Sequence, residues 1–476
     1  MKTWIYNLKY TLLAFLFFFA CNPEIDVPTP SAGSLDFSNY IAVGNSLTAG
    51  YADNGLYAES QMQSYPYLIA QQMNAISPIE FIQPDIPDNG SGYMYLTSLA
   101  PQFGYFAPDA SWTDQLEGPF NNLGVPGIRV KDIKIPGYGS STDFNPYFYR
   151  MLGGKPAFMT YLDFVAESNP TFFTNWLGNN DVLGYASSGG KAGVAGGTLG
   201  MGGLTSVPAF AQLYSEMMDV LTANGAKGML VTIPDVTAIP FFTTVPYLAI
   251  ELDEQTAAGL MELAAFGGYN FVLSNLAAQG VITTAEAQKR MVNYEAGYNP
   301  ILIHDKDLDD LSTIMGNINP ALALYGQTRQ STQEDLMLFT SQTVLGTLAD
   351  PTNPQTVIGV AIPLADEYVL SKMETDNVKS YTQQYNQIIQ SYASSGSVGV
   401  IDATDMLTEV NEGLFIDGIT LDGGYILGGA FSLDAVHLTP RGYAFVANKI
   451  IEGINAEFGA SISPVILNNH RAVILP

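Results

Sequence analysis

Cysteine is nearly absent from this chain. There is one, Cys21, so no internal disulfide can form and no thiolate metal site can be assembled. Histidine is almost as scarce, with only His304, His437 and His470. Positive charge is thin: 18 Lys plus Arg stand against 45 Asp plus Glu, a formal net charge of −27. Such a surface repels phosphate backbones, which argues against nucleic acid as a partner, and it disfavours unassisted docking on anionic lipid. Beyond the N-terminal region no charge-poor apolar run is long enough to span a bilayer.

What the chain does have is apolar and aromatic bulk. Hydrophobic residues make up 47% of its 476 residues and aromatics 12%. That composition buries a sizeable core and excludes global disorder. The length suits one α/β domain enlarged by an insertion.

The N-terminus reads as a targeting segment. Lys2 and Lys9 lie before the apolar run "TLLAFLFFFA", which ends directly at Cys21. The run is short for a membrane span. A cysteine placed after a small residue, Ala20, resembles a bacterial lipoprotein cleavage box. The expectation is a signal peptide over 1–20, lipidation at Cys21 and a tether over 21–35, rich in Pro, Ser and acid. The protein would then sit in the cell envelope, at the outer membrane, with its lipid anchor as the only membrane contact. The bland alternatives are an ordinary signal peptide with a chance cysteine, or an uncleaved anchor.

Further along, "YIAVG" is short, apolar and closed by glycine, as a buried parallel strand is. "FNNLGVPG", "TFFTNWLG", "KGMLVTIP" and "SVGVID" read the same way, with helical spacing between them in "YPYLIAQQMNAI", "TYLDFVAESNP", "VPAFAQLYSEMMDVLTANG" and "DNVKSYTQQYNQIIQSYASSG". Strand alternating with helix means a parallel sheet. "TPRGYAFVANKIIEGINAEFG" reads as a last helix, with Thr439 as its cap and Pro440 in its first turn. Residues 82–120 look like a long aromatic surface excursion, and the glycine-rich stretch from Tyr185 to Thr205 like a mobile loop. Residues 240–375 interrupt the alternation and read as a large, mainly helical insertion. Both of its flanks belong to the layer beside the strand ends, so it is expected near the site; a structural annex packed elsewhere is the bland reading. The body is expected over 36–460, with a tail over 461–476.

In parallel α/β sheets the chemistry gathers outside the carboxyl ends of the strands. Ser46 follows "IAVG", Gly127 follows "FNNLGVP", Asn180 follows "FFTNWLGN", and Asp434 stands three residues before His437, ahead of the last helix. A serine hydroxyl needs an adjacent base to become a nucleophile. His437 alone among the three histidines has a carboxylate just before it in a loop entering a helix. Asp434 can fix the imidazole through Nδ1 and leave Nε2 to take the Ser46 proton. The Ser46 and Gly127 amides and the Asn180 side chain are the donors available to a developing oxyanion. Taken singly, each is more often a turn glycine, a cap, a loop acid or a solvent-facing histidine. The weight lies in four parts in chain order, each at a strand end.

The set resembles the SGNH/GDSL hydrolase family. "GNSLTAGY" looks like its first block, "NLGVPG" its second, "GNND" its third and "DAVH" its last. The resemblance spans residues 40–450 and covers the insertion poorly. It implies a three-layer α/β/α, flavodoxin-like fold, with Ser46, Asp434 and His437 catalytic and Ser46, Gly127 and Asn180 as the oxyanion hole. It implies hydrolysis of lipid, acyl or acetylated-glycan esters without a metal or other cofactor. The first block departs from the family's usual Gly-Asp-Ser-Leu at Asn45, which keeps part of the acid's hydrogen bonding and loses its charge. The rival reading is a non-catalytic surface lipoprotein that binds glycans or lipids through the aromatic excursion.

Overall fold

Four apolar runs become the strands of one sheet. In the computed structural model, which describes residues 29–98, 102–191, 203–262 and 265–476, strand β1 (Tyr40–Gly44) leads at once into a one-turn helix, α1 (Ser46–Ala49). Helix α2 (Tyr65–Asn74), β2 (Phe172–Trp176), α3 (Asn179–Ala186) and α4 (Val207–Thr222) follow. Then come β3 (Lys227–Val231), α5 (Lys372–Gln390), β4 (Val398–Ile401), α6 (Ala403–Glu412) and α7 (Pro440–Phe458).

The strands lie in the order β1, β2, β3, β4, and every pair is parallel. Their carboxyl ends therefore share one edge. Residues 121–125, the "NNLGV" run, lie along the free side of β1. The Ala42 N–H donates to the Asn121 carbonyl at 2.8 Å, and the Leu123 and Val125 N–H groups donate to the carbonyls of Ala42 and Gly44 at 2.8 and 3.0 Å. β1 and β2 are buried at every residue, as strands covered on both faces are. α2 packs against α7, while α4 and α5 form a second helical group in which Phe210 stacks on Tyr385 with ring centres 4.0 Å apart.

The helix ends follow local chemistry. The Thr439 side chain accepts from the Gly442 N–H and Pro440 opens α7, while Ser371 and Glu374 cap α5 reciprocally.

The insertion builds a core of its own around Tyr269, Leu273, Ile301, Leu302 and Met315. Among its described residues helix outweighs strand, as expected. Beside helices it contains three small antiparallel pairs: Ile250–Leu252 with Gly297–Asn299, Leu302–His304 with Thr328–Gln330, and Leu336–Met337 with Val369–Leu370. Strands of two or three residues are too short to print an alternating pattern on the sequence. The aromatic excursion likewise contains a hairpin, Tyr93–Ser98 with Gln102–Phe106, which exposes Tyr95, Phe103, Tyr105 and Phe106.

The expected signal peptide, Cys21 and most of the tether lie outside the described residues, as do residues 192–202 of the glycine-rich stretch. From Ser31 the chain is held to the body, since Ser31 and Ser461 exchange backbone hydrogen bonds at 3.2 and 2.8 Å. Among the described residues no helix is long and apolar enough to cross a membrane.

Candidate active site

The position of Ser46 begins with the end of β1. Gly44 is needed there because a Cβ would fall 1.9 Å from Thr48 Oγ1. Asn45 caps α1, its side chain accepting from the Leu47 N–H at 3.0 Å. Gly50 ends the turn in the left-handed region, at φ +86°, and its N–H returns to the Ser46 carbonyl at 3.1 Å. The serine is thus clamped between a cap and a reversal of the chain.

His437 arrives from the other end of the sequence. The loop before α7 is tightened by Asp434, whose Oδ1 accepts from the N–H groups of Val436 and His437 at 2.9 and 2.7 Å. Its Oδ2 accepts from His437 Nδ1 at 2.9 Å. His437 Nε2 then lies 2.8 Å from Ser46 Oγ. With Nδ1–H donated to the carboxylate, Nε2 carries the lone pair that faces the hydroxyl. Ser46 is 8% exposed and the His437 side chain 15%, so the pair is shielded and still reachable. Burial opposes charge on Asp434, but His437 beside it and the hydrogen bonds from His437 and the Asn54 N–H prevail, holding its carboxyl well below the usual carboxylate range.

Gly127 and Asn180 stand at the same edge. The run along β1 delivers Gly127 two residues beyond Val125, with φ +83° and its surface exposed. Among the described residues, neither the Ser46 nor the Gly127 N–H has an internal hydrogen-bond acceptor. Asn180 Nδ2 donates to the Ile128 carbonyl at 3.0 Å, which fixes the amide against the Gly127 loop and leaves its second hydrogen available. Next to it, Asp181 is fully buried and accepts from the Val130 N–H at 2.8 Å and from the Thr205 hydroxyl. Burial pushes its carboxyl up to about 6.

The sequence-predicted residues Ser46, Asp434 and His437 therefore meet in one hydrogen-bonded chain. His304 ends the insertion strand Leu302–His304, and His470 meets Gln63 Oε1 at 2.6 Å. Sequence reading missed a turn at Asp53 and Asn54. Asn54 donates its N–H to Asp434 Oδ2 at 2.9 Å, and Ser432 Oγ bridges Asp434 Oδ1 at 3.1 Å and the Asp53 N–H at 3.0 Å. The Asn-Gly dipeptide at 54 and 55 signals a turn, but nothing local marks its partner. Tyr51 was missed as well; its ring packs on the His437 imidazole with centres 4.6 Å apart. The insertion touches this region: the Phe241 N–H donates to the Ala435 carbonyl at 2.9 Å, and Phe339 packs on Tyr425, whose hydroxyl donates to the Leu433 carbonyl at 2.7 Å. Compared with protein-family models, with curated proteins and with solved structures, the chain matches none of them.

Proposed function

We propose that this chain is a serine esterase of the SGNH/GDSL kind. The observation that carries the reading is the continuous chain from Asp434 Oδ2 through His437 to Ser46 Oγ, with links of 2.9 and 2.8 Å. The order of the extended segments supports it too: the 121–125 run, β1, β2, β3 and β4 follow the flavodoxin-like order of a doubly wound sheet.

In the reaction, His437 Nε2 takes the Ser46 proton as Oγ attacks the ester carbonyl. The negative charge on the carbonyl oxygen is met by the Ser46 and Gly127 N–H groups and the Asn180 amide. Protonated His437, steadied by ionised Asp434, returns the proton to the departing alcohol. Water then attacks the acyl-serine with His437 again as base and releases the acid. Asn45 supports the turn through its cap and takes no part in proton transfer. As a lipoprotein anchored through Cys21 at the outer membrane, the enzyme would act on lipid, acyl or acetylated-glycan esters in the cell envelope.

The exposed aromatic hairpin favours a second reading, a surface protein that binds glycans or lipids without catalysis. Labelling with a fluorophosphonate probe separates the two. The esterase reading expects stoichiometric labelling of the parent at Ser46 and none of Ser46→Ala. A parent that neither labels nor hydrolyses any ester removes that reading.

A further inference from the structure

We infer that an apolar cavity walled in part by the chain neighbours of Ser46 and His437 is the seat of the acyl chain, and that it selects short chains over long ones. The inference rests on the esterase reading above and extends it to substrate class. The cavity measures about 80 Å³, and every residue lining it is apolar. Its lining includes the immediate neighbours of the catalytic pair: Leu47 follows the nucleophile, while Val436 and Leu438 flank the base. These three side chains, like Pro234 and Leu407 elsewhere in the lining, are half-buried. The floor is the inner face of α6, where Met406 and Val410 are buried and Leu407 half-buried.

Chemistry and size narrow the occupant. With no charged or hydroxyl side chain in the lining, the cavity offers no partner to a sugar ring or to a polar headgroup, and it suits a saturated chain. An engineered cavity of about 150 Å³ holds a benzene ring, so a space near half that size takes a tail of about four carbons. A long fatty chain has to leave it.

The test uses the purified full chain with p-nitrophenyl acetate, butyrate, octanoate and palmitate. The parent should show its highest kcat/KM on butyrate, roughly 15-fold above acetate, which is two buried methylenes at ~0.8 kcal/mol each. Val410→Phe fills the floor and should erase that butyrate advantage. Met406→Ala enlarges the floor and should move the optimum toward octanoate. Circular dichroism melting checks each variant, and if Val410→Phe does not fold, the Met406→Ala profile decides. A parent optimum on palmitate, or a folded Met406→Ala with the parent's profile, overturns the acyl seat while Ser46-dependent hydrolysis leaves the esterase reading standing. Absence of hydrolysis and of fluorophosphonate labelling in the parent overturns both.

Discussion

The Asn54 N–H and the His437 imidazole share one oxygen, Oδ2 of Asp434, each at 2.9 Å. The turn that delivers Asn54 holds two non-glycine residues in the left-handed region, Asp53 at φ 52° and Asn54 at φ 62°. Asp53 pins it: its carboxylate accepts from the Tyr57 hydroxyl at 2.7 Å and from the Leu433 N–H at 3.0 Å. Asp53 touches no reacting atom, so it is a positioning residue. Asp53→Ala should lower kcat by up to roughly 10², the scale of an ångström-sized misplacement, with KM nearly unchanged. Asp53→Asn, which keeps an acceptor, should recover part of the loss. A rise in KM at constant kcat would contradict the positioning role.

Ser46→Ala should abolish turnover and leave the melting temperature close to the parent's, since it removes one hydroxyl at a shielded but accessible site. Asp434→Asn should cost roughly 10⁴ in kcat, because the amide presents the wrong hydrogen-bonding pattern to Nδ1. The double variant with Ser46→Ala should be no worse than Ser46→Ala alone, as parts of a unit are not additive. Steady-state kinetics on a short ester reads all three.

Asn180 has two jobs at one amide. Asn180→Ala removes the proposed oxyanion donor and also the 3.0 Å bond that holds the Ile128 carbonyl. The expected loss is roughly 10²–10³ in kcat. Asn180→Asp keeps the side-chain size, replaces the donor by an acceptor and should be as damaging. Equal activity in Asn180→Asp and the parent would remove this residue from the oxyanion hole.

Asp181 predicts a pH effect on stability. Its carboxyl is raised from 3.8 to about 6, with burial as the main cause, opposed by the Thr205 and Val130 hydrogen bonds and by Arg129, while Asp132 adds to it. The folded state thus binds this proton more tightly than the unfolded chain does. The sign follows: the group's stabilising contribution is full below 3.8, declines as pH rises to about 6, and is flat above that. The decline is up to about 3 kcal/mol at 1.36 kcal/mol per unit. Denaturant melts of the parent and of Asp181→Asn at acidic and neutral pH should show the variant gaining on the parent as pH rises. Parallel curves for the two proteins would show that this carboxyl does not titrate in that window.

Much of the site was legible because its parts are scarce. Three histidines leave few bases to consider, and only His437 has Asp434 near it in a loop that Thr439 and Pro440 turn into a helix. Ser46 was legible because Gly44 and Gly50 bracket it for steric reasons that act locally. Asn54 was not legible, because its bond to Asp434 joins positions 380 residues apart. The same holds for the apolar cavity, whose walls come from Leu47, Met406 and Val436. Nor could the insertion's strand pairs be seen, since two or three residues carry no period. Local rules write caps, turns and strands into a sequence; contacts between distant segments leave no such mark.

The bond from His437 to Ser46 closes a separation of 391 residues, and on the proposed reading this fixes when the chain could first act on an ester. A ribosome that has released β1, the whole insertion and β4 has still not made the base. Contacts this distant form late, after shorter loops have closed. α7, which follows the base and packs on α2, must also dock before the loop carrying Asp434 and His437 is held. Esterase activity of the proposed kind would therefore report completed folding: chains interrupted anywhere before residue 437 carry Ser46 without its His437 partner. A nascent chain of this design has no His437 to pair with Ser46 until nearly all of it has been made.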